Sequence, residues 1–394
     1  MGLLLVKNGF VLAPEPLGEM DILTAETSII TVERSISESA VKALDPDATI
    51  VDAKSLWVAP GLIDSHIHFN GAGGENGPQF RTPPLELSSF IRAGITTAVA
   101  PLGTDGICRS LRELLAKSRA LDMEGITAYM YTGSYSVPSV TITESVLTDI
   151  TLIDKIIGTK VALADHRSSH PTAEELRRLI SDSRTAGIIS GKAGIVEAHM
   201  GSEDHGLALI EEALKGTHIP PAQIVPTHVN RTYNLFEDSL GYCSRGGVAD
   251  ITASIGGDDA VEPAECVERI LHASVPLANF TMSTDGNGSM PVFDDTGDMV
   301  GMGIGDPGSL LSALKNIVSD KRISAGEAFS LVTANAAKRL KLNGKGRLEK
   351  GCDADILILS PSDLSLCYVI AKGEILMEKG RVLRFGTFEK PAVN

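Results

Sequence analysis

The run LIDSHIHF at 62–69 carries two histidines two residues apart, His66 and His68. If the run is a strand, side chains at i and i+2 leave the same face, so both imidazoles can reach one metal ion. A single pair of this kind is common by chance, and its weight comes from what stands elsewhere. His199 lies near the end of the apolar segment 192–201, His228 near the end of 224–230 and Asp285 near the end of 280–287. Each is a metal-competent side chain. By contrast His170, His205, His218 and His272 fall in helical or turn sequence, where a solvated or packing role is the simpler reading, and His166 stands beside the end of the segment 156–165.

Lys160 is out of place in the apolar run 156–164. A buried ammonium is costly unless it is paired or neutralised. One resolution is a salt bridge to Asp165 or Asp285. The other is reaction of the amine with carbon dioxide to give a carbamate, an anionic ligand whose two oxygens can bridge two metal ions. Two divalent ions set against the carbamate, Asp285 and a bridging hydroxide would leave a modest positive charge, suited to polarising a carbonyl.

These residues need a scaffold that gathers distant segment ends. The segments 62–69, 96–103, 127–134, 156–165, 192–201, 224–230, 249–255 and 280–287 are short and rich in Val, Ile and Ala, with helix-like stretches such as 110–124 and 172–186 between them. Thr172 followed by Glu175 has capping-box spacing. Eight β-then-α units predict an α/β fold, a (β/α)8 TIM-like barrel over 61–344, with its site at the C-terminal ends of the strands. A doubly wound sheet is the main alternative, but no Gly-rich phosphate loop joins strand to helix where that fold needs one. Gly71, Gly73 and Gly74 are followed by no P-loop lysine and hydroxyl, which rejects a phosphate cradle. The opening 1–60 reads as β-hairpins and looks all-β, and the segments 354–359, 367–371, 374–378 and 381–384 repeat that texture. The two ends, 1–60 plus 345–394, are expected to build one small β-sandwich domain.

Composition narrows the partners. In 394 residues, 43% hydrophobic and 22% charged, the chain can bury a sizeable core without disulfides. A net charge of −15 disfavours nucleic acid and anionic membrane as partners. Cys108, Cys243, Cys266, Cys352 and Cys367 are odd in number and form no CxxC pair, which fits reduced thiols. The N-terminus has no signal-peptide pattern and no run of about 18 apolar residues occurs, so a cytoplasmic location is expected.

The ligand order, HIH on the first strand, a lysine on the fourth, single histidines on the fifth and sixth and an aspartate on the eighth, resembles the amidohydrolase superfamily. Longer pieces narrow the likeness: GAGGENGP at 71–78 with RTP at 81–83, GSYSVPS at 133–139, DHRSSHP at 165–171, PTHVNR at 226–231 and STDGNGS at 283–289. They resemble the isoaspartyl dipeptidases, also called β-aspartyl dipeptidases, and the likeness extends over nearly the whole chain, including GLIDSHIHF and GCDADILIL in the β-rich ends.

That resemblance implies a zinc-dependent metallopeptidase with two zinc ions per subunit, His66 and His68 on one ion, His199 and His228 on the other, and carboxylated Lys160 and a hydroxide bridging them. Asp285 would complete the first ion's sphere and shuttle a proton to the leaving amine. Glu75 would pair with the substrate's α-ammonium, Arg167 and Arg231 with its carboxylates, and the Tyr135 hydroxyl with the developing oxyanion. Gly73, Thr104 and Ser289 look like further substrate contacts. Taken singly, Arg167 has a local alternative, an ion pair with Asp165, while Glu75 also fits a solvated loop and Tyr135 a packed aromatic. The implied partner is a small dipeptide, and the implied assembly a homo-oligomer, an octamer. A cyclic-amide hydrolase of the dihydroorotase or hydantoinase kind shares barrel and metals, and a scaffold that has lost its chemistry would lack ligands. The loop 256–259 assigns no substrate contact.

Overall fold

The computed structural model describes residues 2–12, 14–75, 77–257, 259–293 and 299–390. Asn76 of the GAGGENGP stretch, Asp258 of the loop 256–259 and the last residues of 345–394 lie outside them. Eight parallel strands form a nearly closed barrel: β1 (Leu62–Asp64), β2 (Ile95–Ala100), β3 (Thr127–Gly133), β4 (Ile156–Leu163), β5 (Ile195–Met200), β6 (Ile224–Thr227), β7 (Ala249–Thr252) and β8 (Phe280–Ser283), hydrogen-bonded in sequence order from β1 to β8. Every residue of β4, β5 and β7 is buried, as expected of parallel strands covered on both faces. The outer helices start where local chemistry favours it. Thr172 and Glu175 form the anticipated capping box of Ala173–Ser190, which runs past 186 until Gly191 turns left-handed at φ 74°.

Where β8 should meet β1 the ladder is thin, and residues beyond the strand ends complete it. Ile67 bridges Gly286 in parallel, the His68 amide donates to Gly286 O at 2.8 Å, and the Asp285 amide donates to His66 O at 3.0 Å. Buried Asp64 accepts from the Thr284 amide at 3.2 Å, the Thr284 hydroxyl at 2.5 Å and the His66 amide at 3.1 Å. The apolar segment 62–69 is therefore a strand only to Asp64, and His66 and His68 belong to the extension that seals the barrel.

The chain ends build a second, mostly antiparallel sheet of nine strands. Ile356–Leu359 lies antiparallel to Trp57–Pro60, and Leu3–Leu12 runs parallel to both Thr49–Asp52 and Trp57–Pro60. Its apolar side buries Val6, Val11, Ile22, Val58, Ile356 and Ile370 in a core of its own. The opening segment is not all-β, because Ser37, whose hydroxyl accepts from the Ala40 amide, starts a short helix Glu38–Leu44. Ser289–Phe293 pairs antiparallel with Met299–Ile304 after β8, two strands not expected from the sequence.

The strand-start end of the barrel is filled by Ile63, Ile157, Ile195 and Val225 packing with Ala336, Ala337 and Leu340 from the helix Ala334–Arg339 and its end. Arg339 reaches from this plug into the barrel. Its guanidinium donates to Asp250 Oδ1 at 3.2 Å and to the Thr281 hydroxyl at 2.8 Å, and pairs closely with Glu197. All three charged groups are buried. Glu197 comes from β5 and Asp250 from β7, so one cation neutralises carboxylates from two strands.

Replacing Arg339 by Met leaves two buried carboxylates without their cation. Urea unfolding followed by circular dichroism should give a loss of about 3–5 kcal/mol. An unfolding midpoint equal to that of the parent chain would show that the pairing does not matter to stability.

Candidate active site

His66 and His68 leave the β1 extension toward Asp285, which follows β8. His68 Nε2 lies 3.1 Å and His66 Nε2 3.6 Å from Asp285 Oδ1. His228, just past β6, has its Nε2 at 3.9 Å from Asp285 Oδ2. Ligand atoms of His66, His228 and Asp285 lie within 4.8 Å of one another, the spacing of a metal-competent cluster. His199 of β5 stacks edge-on to His228 with ring centroids 4.6 Å apart, and His66 stands 5.0 Å from His228 in the same measure. The structure thus brings all four histidines and Asp285 to one place.

Outer partners orient three of these rings. His66 Nδ1 is 3.2 Å from Glu197 Oε1, His228 Nδ1 is 2.7 Å from the Thr252 hydroxyl, and His199 Nε2 is 3.0 Å from Asp165 Oδ2. For His66 and His228 the other ring nitrogen, Nε2, is left toward the cluster, while that of His199, Nδ1, faces the Tyr135 hydroxyl at 3.0 Å; protein carboxylates and hydroxyls fix metal-binding imidazoles in this way. Burial is the first cause holding His66 and His228 well below the ordinary imidazole range and His199 down at about 3. The rings are therefore neutral at physiological pH, the form that offers a lone pair. Among the described residues His68 Nδ1 and His228 Nε2 are buried with no hydrogen-bond partner. Neutral imidazoles, a carboxylate and two orphaned ring nitrogens fit a divalent cation.

Lys160 sits in β4, fully buried, with Nζ 3.3 Å from His66 Nε2. The salt bridge to Asp165 or Asp285 that would have paired its charge is not formed: among the described residues no carboxylate oxygen lies within 4.0 Å of Nζ. Burial pushes the amine down to about 8, with Glu197 the leading opposing charge. The lowered value increases the fraction of free amine and makes the group cheaper to bury.

Asp285 adopts φ 52°, and its amide is fixed by His66 O. Burial raises its pKa, but the His68 hydrogen bond and the neighbouring imidazoles outweigh this and keep the carboxyl below the usual range. Tyr135, just past β3, places its hydroxyl 3.0 Å from His199 Nδ1, and burial holds the phenol far above its ordinary range, so it remains a donor.

Farther out, Glu75 is the centre of a polar mouth. It accepts from the Thr104 hydroxyl at 3.0 Å, the Ser289 hydroxyl at 3.0 and 3.1 Å and Arg167 Nη1 at 3.3 Å. The local pairing open to Arg167 is also present: Nε and Nη2 grip Asp165 at 2.9 and 2.8 Å, leaving the Nη1 edge toward Glu75. Arg231 Nε donates to Met200 O at 3.0 Å, which tethers it at the end of β5. Gly73 holds the loop that carries Glu75 at φ 82°, where a Cβ would come within 2.2 Å of Phe80 O. Buried Arg109 secures the same loop by donating to Asn70 O and Thr82 O, both at 2.5 Å.

Thr252 and Arg109 carry no sequence signal of their own, because their value lies in contacts with distant segments. Glu197 does carry one, being a carboxylate two residues before His199 inside an apolar run.

Residues 57–382 match a family model described as "Amidohydrolase family". The chain is similar over 98% of its length, at 40% identity and a TM-score of 0.90, to all of a β-aspartyl dipeptidase from Fervidobacterium islandicum AW-1 in complex with β-Asp-Leu dipeptide. A dihydropyrimidinase from Brevibacillus agri shares the fold at 15% identity and a TM-score of 0.69, covering 99% of this chain and 100% of that one. A dihydroorotase from Aquifex aeolicus is 42% identical over 107 residues, 27% of this chain and 21% of the dihydroorotase, so this chain spans about a fifth of that curated relative.

The neutral imidazole cluster predicts tight binding of a borderline divalent ion. Titration of chelator-stripped protein with zinc against a chromophoric competitor should show saturable uptake that His228→Asn weakens by at least about tenfold. Uptake unchanged by that substitution would remove His228 from the site.

Proposed function

The chain belongs to the amidohydrolase family, and within that family we propose that it hydrolyses β-aspartyl dipeptides at a site holding two zinc ions. The observation that carries this reading is the pairing of a neutral histidine cluster with a carboxylate, Glu75, held at the mouth by Thr104, Ser289 and Arg167. A β-aspartyl dipeptide is longer by one methylene on its reacting arm than an α-peptide and carries both α-ammonium and α-carboxylate on that half. A mouth with an anion and two arginines around a deep carbonyl site suits that distribution.

His66 and His68 would hold one ion, His199 and His228 the other, with Asp285 on the first and Lys160, as its carbamate, between them. When bound, the ions supply Lewis acidity toward the scissile carbonyl and a nucleophile from water at neutral pH. Asp285, an ionised carboxylate, takes the proton of the attacking water at its Oδ atoms and returns it to the departing amine. Tyr135 donates its hydroxyl proton in a hydrogen bond to the carbonyl oxygen as charge builds there. Glu75 binds the α-ammonium, Arg167 and Arg231 the carboxylates, and Gly73, Thr104 and Ser289 line the path.

Among the described residues no helix is long and apolar enough to cross a membrane. The cysteines are all free thiols, which supports a reducing compartment, the cytoplasm. The family likeness supports a homo-oligomer, an octamer.

Purified protein supplied with zinc and bicarbonate should cleave β-Asp-Leu and leave α-Asp-Leu; inactivity on both, with cleavage of dihydroorotate or a hydantoin, would overturn the substrate assignment. Asp285→Asn should lower kcat by about 100-fold or more through loss of proton transfer, and near-normal turnover would refute the role. Arg231→Ala should act mainly on KM, raising it by about tenfold or more for a charge-assisted contact; an unchanged kcat/KM would take Arg231 out of the site.

A further inference from the structure

Asp165 is 5% exposed, sits at the end of β4, and is used twice. Its Oδ1 accepts from Arg167 Nε at 2.9 Å and from the Arg167 amide at 2.8 Å. Its Oδ2 accepts from Arg167 Nη2 at 2.8 Å and approaches His199 Nε2 at 3.0 Å. Arg167 Nη1 continues to Glu75 at 3.3 Å, and the Arg167 guanidinium lies 5.3 Å from the Tyr135 ring centroid. One carboxylate therefore joins an inner imidazole to the guanidinium that faces the mouth. The backbone is built around it: Ala164 is held at φ 51°, and a Cβ on Gly201 would come within 2.1 Å of Ala164 O and 2.6 Å of Asp165 Cα.

We propose that Asp165 is a positioning residue that couples the two halves of the site, holding His199 with Nδ1 turned to the Tyr135 hydroxyl and the metal side and Arg167 with Nη1 turned to Glu75 and the substrate side. This rests on the reading of His199 as a metal ligand and Arg167 as a substrate contact. A carboxylate is required because both neighbours present N–H groups to it. With His199 donating from Nε2, Nδ1 keeps its lone pair. The fork of Arg167 accounts for both carboxylate oxygens, so the arginine cannot swing inward to fill the site when substrate is absent, nor outward into a closed pair with Glu75 alone. An amide in place of the carboxylate keeps the shape but turns an NH2 group toward either Arg167 or His199, and two donors then face each other.

Two readouts on Asp165→Asn test the coupling. Zinc affinity, measured by chelator competition without substrate, should weaken by about tenfold or more, as outer partners of metal-binding histidines do. In the same variant, assayed at saturating zinc, KM for β-Asp-Leu should rise by about tenfold. Arg167→Lys should raise KM while leaving zinc affinity within about twofold, because the residue between Arg167 and the imidazole is intact. Asp165→Glu keeps the charge, misplaces it by one methylene and should lose in both readouts, which gives a result if the amide variant fails to fold. A shift in only one of the two, or in melting temperature alone, overturns the coupling. Parent protein that takes up no zinc would instead overturn the reading of the site beneath it.

Discussion

Charge along the barrel axis must be neutralised where water does not reach, and the structure does this in two tiers. In the lower tier Arg339 is shared by Glu197 and Asp250, and Asp250 also accepts from the hydroxyls of Thr227, Thr281 and Ser283. That tier pairs its charges without any ligand. The upper tier does not: it holds four imidazoles, Asp285 and a lysine with no carboxylate oxygen within 4.0 Å among the described residues. Glu197 belongs to both, accepting from Arg339 below and facing His66 Nδ1 above. The plug helix under the barrel is thereby tied to the orientation of a ring in the site, and a buried ionic contact serves position as much as stability.

The site and the closure of the barrel are made of the same atoms. Backbone groups of His66, His68, Asp285 and Gly286 supply the missing rungs between β1 and β8, and Asp64 clamps Thr284 across the gap. Residues that must hold their distance from one another are thus fixed by the ladder itself rather than by free loops. The mouth is built on another principle. Glu75, Thr104, Arg167 and Ser289 come from the segments that follow β1, β2, β4 and β8, and their alignment rests on polar contacts with one another, with Gly73 and Arg109 shaping the segment after β1.

Much of this was legible in the chain. Parallel strands buried on both faces write themselves as runs of Val, Ile and Ala, so the eight units could be counted, and the polar intruders His66, Lys160, His199, His228 and Asp285 stood out against them. The strand ends were less legible. His66 and His68 continue an apolar run, and only the cross-barrel contacts with Gly286 mark where the strand stops. The helix Glu38–Leu44 was hidden because Ser37 and its first turn sit among β-like runs. Pairings distant in sequence were invisible for a physical reason: the environment of Lys160 depends on which carboxylates approach it, and Asp165, five residues away, turns instead to Arg167 and His199.

The proposed chemistry depends on Lys160, buried with no ion pair among the described residues and pushed down to about 8; under that proposal it takes up carbon dioxide and adds a second anion to the upper tier beside Asp285. The most direct test is carbon NMR of protein stripped of metal and reconstituted with zinc and 13C-labelled bicarbonate. A carbamate resonance that integrates to a single carbon per chain and is missing in Lys160→Met is the predicted result. Fully active, zinc-loaded protein with no such resonance would contradict it.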